Sequence, residues 1–170
     1  MTPADNADAS VPTPVFRRQA TSADRQRVRA MVASTGFFTP EEVALAVELV
    51  DERLAKGPAS GYEFVFAEID GRTVGYACYG RIPATQASFD LYWIAVAASM
   101  QGTGIGGRLM REVERLVREE GATMLYIDTS GKAQYAPTRA FYEKSGFHQA
   151  AVLPDFFAPG DAKVIYVKAV

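Results

Sequence analysis

The chain predicts a single mixed α+β domain. Three observations carry that expectation. Apolar periodicity changes along the chain from helical to alternating spacing and back. An Asp70-Gly71 pair joins two alternating runs, as in an antiparallel hairpin. A strand–loop–helix–strand stretch then follows, so the front half of the sheet is antiparallel and the back half mixed. A length of 170 residues suits one domain with a sizeable core.

Each element has its own warrant. Residues 1–14, MTPADNADASVPTP, hold almost nothing to bury and are expected to be a disordered tail, with the domain over 15–170. Val15–Gln19 predicts a short first strand, and Ser22 the cap of a helix to Ser34 with Val28, Met31 and Val32 inside. Thr39, Pro40 and Glu42 stand as N-cap, first helical residue and reciprocal acid of a capping box. Val43, Val47, Val50 and Leu54 then repeat at helical spacing until Gly57. YEFVFAEI and TVGYACYGRI predict the two hairpin strands, and SFDLYWIAV a third beyond a loop holding Pro83 and Thr85. Ile105, Leu109, Val113, Leu116 and Val117 line one face of a helix ending at Gly121, and TMLYIDT is a strand. Pro137 and Gly146 bracket a further helix, and FHQAAVL and KVIYVKA close the chain as short strands, with DFFAPGDAK read as the loop between them.

Composition narrows the function classes. Hydrophobic residues make up 48% and charged ones 22%, ordinary values for a globular protein. The net charge of −2 gives no field toward nucleic acid or an anionic membrane. Arg108, Arg111, Arg115 and Arg118 form a helical stripe, but Glu112, Glu114 and Glu119 interleave with it, which reads as a solvated face. No apolar run approaches the ~20 residues of a membrane span, and the N-terminal stretch lacks the features of a secretory signal. The single cysteine, Cys78, lies in an alternating strand, reads as core and suits a reducing cytoplasm. With one cysteine and one histidine, His148, no metal-ligand cluster is expected.

The segment QGTGIGGR, residues 101–108, places four glycines in eight positions ahead of a helix. Gly102, Gly104 and Gly107 match G-x-G-x-x-G, and Asp128 follows 21 residues later, the pattern of a dinucleotide-binding turn. In that fold, however, the first glycine follows its strand almost directly. Here AASMQ intervenes after Val96, and too few elements remain for a doubly wound sheet. What survives is the physics: glycines admit a close anion, and the first-turn amides of a helix are unpaired donors at the positive end of its dipole. A pyrophosphate site is expected.

Q-x-x-G-x-G, as Gln101, Gly102, Thr103, Gly104, Ile105 and Gly106, together with the preceding LYWIAV and the later TRAFYEKSGF, resembles the GNAT acetyltransferases. The resemblance runs from about Tyr62 to Val152. It implies a GNAT fold, a splayed and mostly antiparallel sheet of about six to seven strands flanked by about four helices. It implies acetyl-CoA as cosubstrate, with backbone groups of Ile94, Ala95 and Val96 along the pantetheine arm and amides from Gln101 to Gly107, those of Gly106 and Gly107 included, on the pyrophosphate. Tyr142 corresponds to the tyrosine that protonates the leaving thiolate. Tyr135 stands where members often carry an asparagine that touches the cofactor.

Transfer to an amine needs a base or a water relay, because alkylammonium groups titrate near a pKa of about 10.4. His148 follows GF at a strand start and reads as structural. Asp128, at a strand end, aligns with an acidic position that some members use as base, and Asp90 lies on the strand leading to the cofactor; either acts through one water. A backbone N–H of Ile94–Val96 would polarise the carbonyl. Phe141 is expected to pack and Tyr142 to face the cleft. An acceptor pocket is expected between the two N-terminal helices, the 81–88 loop and DFFAPGDAK, with Tyr79, Tyr92, Phe156 and Phe157 as walls. The acceptor is an amine, small molecule or peptide, and a homodimer is left open. A non-catalytic acyl-CoA sensor and a nicotinamide oxidoreductase are the competing readings.

Overall fold

The computed structural model describes residues 12–170. The expected tail therefore lies outside the described residues up to residue 11, and 12–14 carry no regular structure. In chain order the elements are β1 (Val15–Arg17), α1 (Asp24–Ser34), α2 (Pro40–Lys56), β2 (Glu63–Ile69), β3 (Arg72–Arg81), β4 (Ser88–Val96), α3 (Ile105–Glu119), β5 (Met124–Ser130), α4 (Ala136–Lys144), β6 (His148–Ala158) and β7 (Asp161–Ala169). The strands form one seven-stranded sheet in the order β1-β2-β3-β4-β5-β7-β6, and only β4–β5 is parallel. Among the described residues no helix is long and apolar enough to cross a membrane.

Local chemistry explains most boundaries. The capping box forms, with Glu42 N donating to Thr39 Oγ1 at 3.2 Å and Thr39 N donating to Glu42 Oε2 at 2.8 Å. Asp70 and Gly71 both take positive φ, 49° and 73°, as a two-residue turn matched to strand twist requires. The start of α1 differs from expectation, because Ser22 does not cap it. Asp24, fully buried in the first turn, instead accepts from Thr21 N at 2.7 Å and from both Nη atoms of Arg17 at 2.9 Å. Burial alone would raise the Asp24 carboxyl, but these hydrogen bonds outweigh it and hold it below the usual range. A carboxylate reached by a guanidinium outcompetes a hydroxyl for that corner.

Both faces of the central strands are covered. Phe64 and Phe66 point to α1 and α2, while Val65 and Ala67 point to α3, so β2 reads as a continuous apolar run. Cys78 is fully buried in the α1/α2 core, and its thiol is pushed up by that burial. At Gly75 a Cβ would stand 2.8 Å from Leu109 Cδ1, so glycine there lets α3 seat on β3.

Two features shape the site. First, β4 and β5 pair only over Ser88–Leu91 and Met124–Ile127, and then separate. The break coincides with a bulge: Tyr79 pairs with Leu91 and Cys78 with Trp93, leaving Tyr92 as the extra residue. Second, β6 runs through to Ala158, so DFFAPGDAK is the bulged end of a strand and a tight turn rather than a loop. Pro154 and the positive φ of Asp155, 54°, lie inside that irregularity, where Asp155 Oδ1 accepts from Gly160 N at 2.7 Å.

Candidate active site

Where β4 and β5 part, a cleft of about 850 Å³ opens between the sheet halves. That size lies within the range of small-molecule sites. One wall is the upper half of β4. Ala97 N donates to Val74 O at 2.9 Å, so strand alternation turns the polar groups of Ala95 toward β3 as well. Those of Ile94 and Val96 then face the cleft, where β5 no longer meets them. The carbonyl of Val96 receives Gln101 Nε2 at 3.3 Å. Of the three expected backbone contacts, Ile94 and Val96 present themselves, while Ala95 is engaged within the sheet.

The glycine stretch supplies the floor. Gly102 (φ 76°) and Gly104 (φ 85°) adopt left-handed conformations, and Gly104 is the N-cap of α3 with no side chain to cap it. The amides of Ile105, Gly106 and Gly107 thus open the helix without a capping partner. Gly106 sits between Val96 and Phe141, where a Cβ would lie 3.4 Å from the Phe141 ring. Gln101, Gly102 and Gly106 line the cleft. Thr103 turns its hydroxyl back to Met100 O, and Ile105 buries its side chain in the α3 core, so these two contribute backbone alone. Gly107 and the N-cap Gly104 are not among the lining residues.

Tyr142 lines the cleft from α4 although it is only 6% exposed. Burial among Phe147, Tyr166 and Phe141 pushes its phenol well above the ordinary range, so it holds its proton at neutral pH. The expected division of labour is reversed in degree, since Phe141 is the more open of the two and both reach the cleft. Asp128 lines the rim, with its carboxylate paired to Lys163. Asp90 lies one step below the opening, outside the lining residues, where burial and then the charge of Asp128 raise it to about 6 against the opposing Lys163. His148 is exposed at the start of β6, away from the lining.

The acceptor walls are partly as expected. Tyr92 and Phe157 line the cleft, but Tyr79 is fully buried in the α3 core and Phe156 lies under Lys163 Nζ at 4.7 Å. The 81–88 loop belongs to the other end of the sheet, where Arg81 donates to Glu120 O and Ala87 O accepts from Thr123 N. In its place the sequence reading missed Phe37 and Phe38, between α1 and α2, with Trp93 and Tyr135. Tyr135 meets the Phe37 ring edge-on at 4.7 Å and donates to Glu42 Oε1 at 3.3 Å, so it bridges the two halves of the cleft. The doubled phenylalanine just ahead of the capping box was the available signal.

An uncapped helix entrance beside a strand edge freed of its neighbour presents backbone groups that an anionic, strand-like ligand can use. The model of the Acetyltransferase (GNAT) family matches residues 29–147, and the chain belongs to that family. Members use acetyl-CoA. A crystal structure of a Desulfovibrio desulfuricans protein assigned to the GNAT family is 52% identical, with a TM-score of 0.90, covering 92% of this chain and 98% of that one. An acetyl-CoA-bound GNAT acetyltransferase from Elizabethkingia anophelis shares the fold at 17% identity and a TM-score of 0.67, covering 93% and 99%. An uncharacterised N-acetyltransferase of Methanocaldococcus jannaschii is 28% identical over 105 residues, 62% of this chain and 65% of its own length.

Proposed function

We propose that the protein moves an acetyl group from acetyl-CoA to a primary amine by direct attack, with no covalent enzyme intermediate. The observation that carries the proposal is one cleft shared by the uncapped entrance of α3, the unpaired upper edge of β4 and the protonated phenol of Tyr142. Amides of residues 102–107 hold the diphosphate. The pantetheine arm takes the place of a strand against Ile94 and Val96, as added strands do.

The chemistry follows from that placement. The Ile94 N–H polarises the thioester carbonyl as it becomes a tetrahedral oxyanion. Asp128 at the rim takes the ammonium proton through a water, which frees the nitrogen lone pair to form the new C–N bond. Collapse breaks the C–S bond, and the Tyr142 hydroxyl supplies the proton that the departing thiolate needs. Asp90, raised to about 6 by burial and then by the charge of Asp128, stays the alternative acceptor of that proton, also through a water.

The test is calorimetric titration with acetyl-CoA, CoA, NAD and NADP, followed by thiol release over a panel of amines. Saturable binding of acetyl-CoA and amine-dependent thiol release are expected. Binding of NAD or NADP in preference to acetyl-CoA would overturn the proposal.

A further inference from the structure

Resting on the acetyl-transfer reading above, we infer that the acceptor is a small monoamine carrying a flat apolar body, of the arylalkylamine class, rather than a polyamine, an amino sugar or a peptide N-terminus. Three observations lead there.

The first is the aromatic wall of the cleft. Tyr135, Phe37, Phe38 and Trp93 form an unbroken aromatic run, with successive ring centroids 4.7, 5.5 and 5.1 Å apart. It crosses from the segment before α4 to the strand that leads toward the thioester. Edges and faces in that arrangement suit a planar guest.

The second is charge. A polycation needs several carboxylates without partners, and among the described lining residues the carboxylates are engaged. Asp128 pairs with Lys163, and Asp161 with Lys132 at 3.2 Å and with Ser130. Glu42 accepts from Thr39 N and from the Tyr135 hydroxyl, both neutral donors. The described lining residues thus lack the set of unpartnered carboxylates that a polycation needs, and the single reacting ammonium is met by Asp128 at the rim. Lys132, the only cation among the described lining residues, is the one paired with Asp161, so an acceptor carboxylate finds no counterion either.

The third is the bridge. Tyr135 contacts Phe37 and Glu42, tying the segment before α4 to the start of α2, and a peptide chain filling this part of the cleft would have to displace those contacts.

The test compares kcat/KM at saturating acetyl-CoA for 2-phenylethylamine and tryptamine against spermidine, kanamycin and an alanine-initiated tripeptide. An advantage of roughly 100-fold for the arylalkylamines is expected, the upper range of apolar-pocket discrimination. Tyr135→Phe, which removes one hydroxyl and keeps the ring, releases Glu42 and should raise the relative rate with spermidine. Phe37→Ala should raise the KM for tryptamine about tenfold without changing acetyl-CoA affinity. Equal or better turnover of spermidine, kanamycin or the tripeptide overturns the acceptor assignment. So does acetyl-CoA binding without turnover of either arylalkylamine. Failure to bind acetyl-CoA at all is a different result, and it defeats the acetyl-transfer reading itself.

Discussion

β4 and β5 are neighbours in two different senses. Over Ser88–Leu91 and Met124–Ile127 they share a parallel ladder, with Phe89 and Leu125 fully buried against α3. Beyond Leu91 and Ile127 the ladder ends, the Tyr92 bulge intervenes, and the same strands carry Ile94, Val96 and Asp128 on a cleft. The lower end obeys the rule that buried backbone groups pair within the sheet. The upper end leaves donors and acceptors without strand partners, and unpaired backbone groups beside an uncapped helix are what a cofactor can use. Stability and chemistry are thereby assigned to opposite ends of one seam.

Substitutions that touch one end and spare the other separate these roles. The largest effect belongs to Phe89→Ala at the lower end, which should cost about 3–5 kcal/mol in denaturant unfolding and leave acetyl-CoA affinity of the folded protein unchanged. At the upper end Tyr142→Phe keeps the packing and removes the proposed proton donor. It should lower kcat about 100-fold with little change in the acetyl-CoA dissociation constant, as stopped-flow and titration would register. Gly104→Ala has open space around its Cβ but must hold a φ of 85°, so its effect is backbone strain at the proposed diphosphate loop. The dissociation constant should rise about tenfold.

Asp90 marks the boundary between the ends and gives the smallest effect. Its carboxyl is raised to about 6 in the folded protein, first by burial and then by Asp128, so the native state binds this proton more tightly than the unfolded chain. Stability from this group is therefore present at pH 4 and declines as pH rises through 6. Asp90→Asn should leave the unfolding free energy unchanged near pH 4 and raise it at pH 8 by about 1 kcal/mol after allowing for solvent screening, read as a higher Tm at pH 8 alone. A Tm gain at pH 4 that vanished at pH 8 would reverse the sign and contradict the boundary role.

Much of the fold around this seam was legible in the sequence where its signals are local. The capping box, the Asp70-Gly71 turn and the glycines before α3 are each decided by a few adjacent residues, and each forms as expected. What escaped depends on distant partners. Ser22 lost the α1 cap to a carboxylate held by Arg17 from another element. The extra residue at Tyr92 exists only against β3, since nothing in SFDLYWIAV itself marks a bulge. Asp155 opens the stretch read as a loop, yet a bulge accommodates it, with Pro154, within β6 on the sheet edge. Tyr135 and Glu42 are 93 positions apart, and only the closed fold brings the phenol to a carboxylate already engaged in a cap.

The division of the seam is tested most directly by amide chemical shifts in a titration with acetyl-CoA. Saturable shifts are predicted at Ile94, Val96 and residues 102–107, with residues 88–91 and 124–127 unmoved. Shifts concentrated on the paired rungs, or a glycine loop that stays still at saturation, would contradict the account.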